Sequence, residues 1–174
     1  IPSNLQIIPK FCFKNCKNLK KVTINEDSQI TLISKESFLK SGVETILIPS
    51  KTETIETVSF KDCSQLKTVT FSMKLKECTL EEKAFYNSGI ESLNILKGIK
   101  KINDSCFQKC SNLKKVTFSK DLSFDSIGDQ VFHSTGIESI TIPSCISYIS
   151  ESAFRNCQNL QTVTFQGKNT FVSQ

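Results

Sequence analysis

Eight cysteines are the most conspicuous reactive residues in this chain of 174 residues. Four of them, Cys16, Cys63, Cys110 and Cys157, recur at intervals of 47 residues. Disulfides or a zinc site would be the chemistry of such a set, but there is no Cys-x-x-Cys motif and a single histidine, His133. A regular interval is typical of a structural repeat. We therefore predict small buried thiols at these four positions.

The other candidates for catalysis do not form a set. His133 has no repeated Asp or Ser partner, and the acidic pairs Glu26-Asp27 and Glu81-Glu82 fall between apolar segments, where solvated loop charges are expected. No glycine-rich phosphate loop is present. The sequence predicts no enzyme, no cofactor and no metal site.

A column of regularly spaced phenylalanines indicates the repeated scaffold that would hold any functional residue in place. Its members are separated alternately by 25 and 22 residues: Phe13, Phe38, Phe60, Phe85, Phe107, Phe132 and Phe154. An aliphatic residue stands five positions before each Phe, and three apolar columns follow it in the same phase. Such self-similarity indicates stacked repeats. We predict one domain of seven repeats, numbered 1 to 7, and a tail at 166–174; the repeats span 1–24, 25–48, 49–71, 72–95, 96–118, 119–142 and 143–165.

The repeats are of two alternating forms. Odd repeats read F-x-x-C-x-x-L, and even repeats read F-x-x-[ST]-G-[IV]-E, with Gly42, Gly89 and Gly136. We expect these glycines to be left-handed and to close a short helical turn that carries the Phe. The connection that follows an odd strand is longer (Ile24 to Ile33, nine residues) than the one that follows an even strand (Ile48 to Ile55, seven residues).

The segment L-x-x-V-x-[IF] is typical of the strand of a leucine-rich repeat. In this pattern the chain resembles BspA-type leucine-rich repeats, which are abundant in bacterial surface antigens and in surface proteins of parasitic protists. The residues that carry the resemblance are Ile142-Pro143, Ile149, Ala153-Phe154, Cys157, Leu160 and Val163, with their upstream equivalents. Two departures are Thr52, where the last odd repeat has Ile146, and Leu96-Lys97-Gly98 in place of Ile-Pro-Ser.

The repeat pattern and the resemblance predict an α/β-type solenoid, a right-handed stack with a seven-stranded parallel sheet on its concave face and short helical turns on its convex side. The outward residues that follow the Leu/Val/Ile column alternate in charge. We expect a ladder of ion pairs along the sheet, each worth at most about 1 kcal/mol. Its members are Lys20, Glu44, Lys67, Glu91, Lys114, Glu138 and Gln161.

The remaining outward columns are rich in hydroxyl groups and contain neither Trp nor Tyr. Threonine suits a strand whose outer side is wet, so a structural role and a binding role both stay open. Because solenoids present extended concave surfaces, we expect a protein or glycan ligand there. The predicted binding residues are Lys21, Thr23, Thr45, Leu47, Thr68, Thr70, Ser92, Asn94, Lys115, Thr117, Ser139, Thr141, Thr162 and Thr164.

The composition limits the classes of partner that the chain is expected to bind. The net charge of +5 comes almost entirely from lysine, with Arg155 as the single arginine, and this argues against nucleic acid. No apolar run approaches the roughly 20 residues of a membrane span, so we expect no membrane insertion in this piece. The chain begins at Ile1 without a leader, which favours a fragment of a longer protein. Further repeats, or an end-to-end dimer, would cover the open ends of the stack.

Three functions follow from these observations. The resemblance implies an adhesion or recognition module at the cell surface or in the secreted fraction. The apparently unpaired cysteines favour instead an intracellular, cytoplasmic scaffold for protein–protein interaction. An accessory domain of an enzyme would require a catalytic segment outside these residues.

Overall fold

A computed structural model describes residues 1–167 and 171–172. The fold is a solenoid of about seven turns built from short strands, with no helix among the described residues. The bounds of the seven repeats, the handedness and the curvature stay predictions. The strands are β1 (Ile7–Ile8), β2 (Leu32–Ile33), β3 (Thr45–Ile48), β4 (Thr54–Ile55), β5 (Thr68–Phe71), β6 (Cys78–Leu80), β7 (Ser92–Ile95), β8 (Ile99–Ile102), β9 (Lys115–Phe118), β10 (Ser126–Ile127), β11 (Ser139–Ile142), β12 (Tyr148–Ile149), β13 (Thr162–Phe165) and β14 (Phe171–Val172).

The L-x-x-V-x-[IF] segments form a six-stranded parallel sheet in the order β13-β11-β9-β7-β5-β3. The period of two in a strand points alternate side chains inward, so Val69, Leu93 and Val116 are buried while their neighbours are exposed. The predicted seventh strand is wrong. Repeat 1 contributes only a bridge between Lys21 and Thr45.

The junctions between repeats explain that single bridge. Where an even repeat meets the following odd repeat, the strands pair over four residues, as β3 does with β5; we call this a full junction. Where an odd repeat meets the following even repeat, only the first residues pair, as Thr68 does with Ser92; we call this an open junction. Repeat 1 is odd, and within the described residues its strand segment borders only repeat 2, across an open junction.

A second wall of parallel strands was not predicted. It consists of a five-stranded sheet, β1-β2-β4-β6-β8, and a three-stranded sheet, β10-β12-β14. Its inward residues are the aliphatic column that stands five positions before each Phe, and Ile8, Ile33, Ile55 and Leu80 in that column are fully buried. The same column therefore serves as core and as strand.

The predicted helical turns, and with them the α part of the α/β class, are wrong. The residues two positions before and two positions after each Phe of the column are left-handed, as at Glu36 (φ 57°) and Lys40 (φ 57°) around Phe38, except for Ser152 before Phe154. Positive φ at the third residue of a four-residue turn, without positive φ at the second, is the pattern of a type II turn. The N–H of each central Phe donates to the next repeat instead of to its own segment: Phe38 N–H reaches the Ser59 carbonyl at 2.9 Å. Bonding between repeats replaces the bonding within the segment that a helix needs.

The glycines of the even repeats are not left-handed, contrary to the prediction. Gly42, Gly89 and Gly136 have no positive φ. They are required by a close approach instead, because a Cβ on Gly89 would lie 2.1 Å from the Ser64 carbonyl oxygen, and one on Gly42 would lie 1.9 Å from that of Lys17. Glycine here lets two backbones touch across an open junction.

The phenylalanine column forms a continuous interior file, as predicted. Consecutive rings stack from Phe13 to Phe154 with centroids 4.8 to 5.9 Å apart. The five central rings are fully buried, and the end rings Phe13 and Phe154 are half-buried. The file crosses full and open junctions alike and ties every repeat to its neighbours.

Candidate functional site

The predicted binding residues lie on the outer side of the six-stranded sheet, which we call the sheet face. All of them are exposed except Leu47, which is half-buried. They occupy the first and third positions of each strand, or of the equivalent segment in repeat 1, where side chains point away from the core. The structure thus collects them on one surface, as expected. Their role in binding stays a prediction.

The sheet face is not flat, because each open junction separates two strands beyond their first residues. Between β5 and β7 this separation leaves a cleft of about 220 Å³, the first cleft. Four predicted residues line it: Thr68, Thr70, Ser92 and Asn94. Its floor and ends are apolar, formed by Val69, Phe71, Met73 and Leu96.

An equivalent cleft opens 47 residues later, between β9 and β11. This second cleft has a volume of about 350 Å³. Predicted residues again line it, namely Lys115, Thr117, Ser139 and Thr141. With strands about 4.8 Å apart, the two clefts are separated by about 10 Å along the stack. They form a repeating feature of the face.

Leu47 occupies in the first open junction the position that Asn94 and Thr141 hold in the other two. Leu47 is apolar and bulkier than Asn or Thr, and it is half-buried, whereas Asn94 and Thr141 are exposed. Leu47, the apolar interruption in the hydroxyl columns, therefore makes the first open junction different from the other two.

Several cleft residues were missed by the sequence reasoning. They belong to the ends of the odd strands and to the connections that follow odd or even strands: Phe71, Met73, Leu96, Phe118, Lys120, Pro143 and Gln166. The signal that could have found them was the alternation of connection lengths, nine residues after odd strands and seven after even ones. That alternation marks where neighbouring strands separate.

The predicted charge ladder forms in part. Ion pairs join Lys20 to Glu44 at 4.0 Å and Lys114 to Glu138 at 3.5 Å, both across open junctions. The four side chains are 48 to 79% exposed, so each pair contributes less than about 1 kcal/mol. These pairs help to fix register at the rim of the sheet.

The repeated cysteines behave as buried core thiols in the middle of the stack. Cys63 and Cys110 are fully buried, as predicted, but the prediction is wrong for Cys16, which is exposed, and for Cys157, which is half-buried, in the first and last repeats. Each inner thiol contacts the preceding even repeat: Cys110 Sγ lies 3.1 Å from the Phe85 carbonyl oxygen, to which it donates. Burial raises the pKa of Cys110 to about 11, which keeps it a neutral thiol.

The catalytic candidates stay apart in the structure. Nδ1 of half-buried His133 lies 2.9 Å from the Ser134 hydroxyl, while the Glu26 carboxylate accepts a hydrogen bond from Ser72 and Glu81 accepts one from Asn103. The described residues contain no cluster of three or more His, Cys, Asp or Glu able to hold a metal ion. In the same part of the chain, no helix is long and apolar enough for a membrane crossing. The non-catalytic character of the chain stays a prediction.

Comparison with solved structures supports the fold. The chain is similar to a leucine-rich repeat protein from Bacteroides ovatus, with 23% identity and a TM-score of 0.81 over 93% of this chain and 41% of that one. It is also similar to the pneumococcal vaccine antigen PcpA, with 20% identity and a TM-score of 0.65 over 100% of this chain and 40% of that one. The chain thus spans about two fifths of either structure.

Comparison with family models covers the repeats themselves. No curated protein matches the chain. The model of the BspA-type leucine-rich repeat region matches residues 1–80 and 78–174, in six copies. The chain therefore belongs to the BspA-type leucine-rich repeat family.

Proposed function

We propose that this chain is a recognition module that binds a protein or glycan at the cell surface, through the sheet face. The observation that carries the proposal is the repeated cleft. Two equivalent openings, of about 220 and 350 Å³, lie on the sheet face, where side chains point away from the core. Hydroxyl and amide groups at the rims can hydrogen-bond a ligand, and apolar floors can bury part of it. Both similar structures are bacterial, and PcpA is described as a vaccine antigen, which supports an exposed location.

The geometry favours an extended ligand. Clefts about 10 Å apart along the stack would receive successive units of a chain that runs parallel to the stacking axis. Each cleft is small, so affinity would come from engaging both at once. Neither Trp nor Tyr lies in the clefts, which points to many modest contacts instead of one aromatic anchor.

The experiment places a leucine in each cleft, at the position that Leu47 occupies in the first open junction. The double variant Asn94→Leu/Thr141→Leu is compared with wild type for binding to intact epithelial cells and to an array of matrix proteins and glycans. We expect a loss of about tenfold or more in affinity, because both clefts are blocked. Asn18→Leu/Asn112→Leu, which also introduces two leucines but at exposed positions outside the sheet face, is the matched control. Equal binding by the double variant and wild type would refute the proposed face.

A second candidate, an intracellular scaffold, is favoured by one observation. All eight cysteines are free, and Cys12 and Cys16 are exposed, which suits a reducing compartment. A leader peptide or a membrane span in the full-length gene would eliminate this candidate. If the full-length gene encodes neither, the scaffold is favoured.

A further inference from the structure

A cavity of about 620 Å³ opens away from the sheet face, along the edge where the chain passes from the six-stranded sheet to the five-stranded sheet. Its wall is formed by the β3–β4 connection (50–53), by the β5–β6 connection (74–77) and by residues of β6 and β8. None of its lining residues belongs to the predicted binding set. We call it the lysine cavity, and it is independent of the function proposed above.

Four lysines give the cavity its charge: Lys51, Lys74, Lys76 and Lys100. Lys100 pairs with Glu77 at 3.2 Å, and Lys74 lies 3.9 Å from Asp27. Lys51 donates to the neutral Gln29 amide oxygen at 2.5 Å. Within the described residues, neither Lys51 nor Lys76 forms an ion pair, so these two ammonium groups are available to an acidic ligand.

Carboxylates and hydroxyls complete the lining and limit the ligand. Glu53 and Glu77 face the same space, together with the hydroxyl-bearing Thr31, Ser50 and Thr79. Two carboxylates would repel a uniformly charged polyanion such as nucleic acid. They would instead accept hydrogen bonds from ligand hydroxyls while the ammonium groups bind an acidic group. The set fits a ligand that carries both.

The chemistry of this cavity is not a requirement of the fold. Residues that the fold needs return every 47 residues, as the Phe, Cys and Gly columns do and as the two clefts do. The lysines of the cavity do not return. The equivalent positions one double repeat later hold, in order, Gly98, Asp121, Ser123 and Ser147.

Two irregularities of the stack meet at the same cavity. Thr52 is buried and donates to the Ile30 carbonyl at 3.2 Å, whereas Ile99 and Ile146 fill the equivalent positions of later odd repeats. The smaller Thr leaves room that Ile would take. The register between β6 and β8 also shifts here: Cys78 pairs with Ile99 and Thr79 with Lys101, so Lys100 is an extra residue in the strand. Bulges of this kind re-aim side chains next to binding sites.

We propose that the lysine cavity binds an acidic saccharide unit, a sugar that carries a sulfate or carboxylate group beside free hydroxyls. Its volume lies within the usual range for small-ligand sites, roughly 300–1,000 Å³. The unpaired ammonium groups of Lys51 and Lys76 hold the acidic group, and Glu53 accepts from the hydroxyls. The site adds a second recognition chemistry to the chain, on a surface distinct from the sheet face.

The first experiment titrates the intact chain with chondroitin 4-sulfate disaccharide and follows binding by calorimetry and by NMR shifts of residues 50–53 and 74–77. The variant Lys51→Gln/Lys76→Gln should bind about tenfold or more weakly, since it removes both free charges. Lys10→Gln/Lys67→Gln removes the same net charge from exposed sites elsewhere and should bind like wild type. Equal weakening in both variants would reduce the effect to net charge and overturn the proposal, as would the absence of saturable binding.

A second variant separates the cavity from the fold. Thr52→Ile restores the residue of the later odd repeats, so it should leave the unfolding midpoint at or above the wild-type value while binding of the disaccharide falls about tenfold. Undiminished binding by Thr52→Ile would contradict the proposed location. Lactose and inorganic sulfate complete the test. Both should bind more weakly than the sulfated disaccharide, and inorganic sulfate that binds as tightly would show a plain anion site and overturn the saccharide assignment.

Discussion

The junction between repeats 2 and 3 and the junction between repeats 3 and 4 join the same two repeat forms in opposite order. At the first, β3 and β5 pair over four residues, from Thr45–Thr68 to Ile48–Phe71. At the second, β5 and β7 pair only at Thr68 and Ser92. The same contrast returns between β7 and β9, which pair fully, and between β9 and β11, which pair only at Lys115 and Ser139.

The odd repeats explain the direction of the contrast. Their strands end in Phe71, Phe118 and Phe165, where even strands end in Ile, and the connections that follow Phe71 and Phe118 are two residues longer than those after even strands. Repeat 1 ends in Ile24 and still meets repeat 2 at an open junction, so the longer connection, which all three open junctions share, is what leaves room for the next even strand to diverge after its first residue. The order of forms along the chain therefore decides where the sheet opens.

Different interactions stabilise the two kinds of junction. Full junctions carry the thiol contacts: Cys63 Sγ donates to the Phe38 carbonyl at 2.9 Å, and Cys110 does the same to Phe85 at 3.1 Å. Open junctions carry the glycine contacts, with the Gly89 N–H bound to the Cys63 carbonyl at 3.0 Å. The stack is therefore made of two-repeat units, each an even repeat and the following odd repeat joined by a full junction. Successive units meet at open junctions, where the core rings still stack but the strands of the sheet face separate.

The largest expected effect tests whether the two kinds of junction share one core. Phe60 stacks across a full junction with Phe38 and across an open junction with Phe85. Phe60→Ala and Phe85→Ala should each lower the free energy of unfolding by about 3–5 kcal/mol, since each leaves a cavity in a continuous file. Urea denaturation measures both. A loss below about 1 kcal/mol in either variant would show that the file is interrupted at an open junction.

The next effect concerns the open junction alone. Gly89→Ala should destabilise the chain by about 1–3 kcal/mol or more, because its Cβ would meet the Ser64 carbonyl oxygen at 2.1 Å, where only backbone can yield. The matched control is Gly128→Ala, whose Cβ would meet the movable end of the Asp104 side chain. Thermal unfolding of both variants is the measurement. If Gly89→Ala costs no more than Gly128→Ala, the close approach does not hold the junction.

A smaller effect is expected at the full junction. Cys110→Ala removes a buried thiol that contacts the Phe85 carbonyl and the Ser88 hydroxyl, so we expect a loss of about 1–2 kcal/mol at neutral pH. Cys145→Ala, at a half-buried site in a connection, should cost less. Urea unfolding at pH 7 compares them. Equal losses would separate the thiol column from the stability of the full junctions.

The smallest effect is a dependence on pH. Burial raises the pKa of Cys110 from 9.0 to about 11, so above pH 9 the unfolded thiol has lost its proton while the folded one keeps it. The unfolded state then binds fewer protons, and stability falls as pH rises. The advantage of wild type over Cys110→Ala should shrink by about 1 kcal/mol or more between pH 9 and 11. A constant difference over that interval would contradict a raised pKa.

Those parts of the fold that follow from the residue type and spacing within a single sequence column could be predicted from the sequence. The Phe file, the alternation along β5 and the buried thiols at Cys63 and Cys110 follow from side-chain type and spacing. Parts that depend on contacts between repeats were missed. The left-handed residues of the turns include Lys40 and Lys83, whose type does not signal that conformation, since the conformation is held by hydrogen bonds to the next repeat.

For the candidate sites too, features of a single strand were predicted and features that depend on contacts between repeats were missed. The outward columns were named correctly as exposed, because a strand period of two is readable from the chain. The clefts were not, because strand separation depends on how Phe71 and its connection meet the following repeat. Thr52 was noticed as a departure from the pattern, but only the stack brings it beside the lysines of two other segments, the β5–β6 connection and β8.

Amide hydrogen exchange, resolved by residue with NMR, tests the two kinds of junction most directly. Asn94 and Thr141 are third residues of even strands and have no registered partner on the preceding odd strand, whereas Thr70 and Thr117 are paired with Leu47 and Asn94 on the preceding even strands. We predict that the amides of Asn94 and Thr141 exchange well before those of Thr70 and Thr117 in the native chain. Equal protection at all four amides would mean that the sheet is continuous, and the clefts would then have no structural basis.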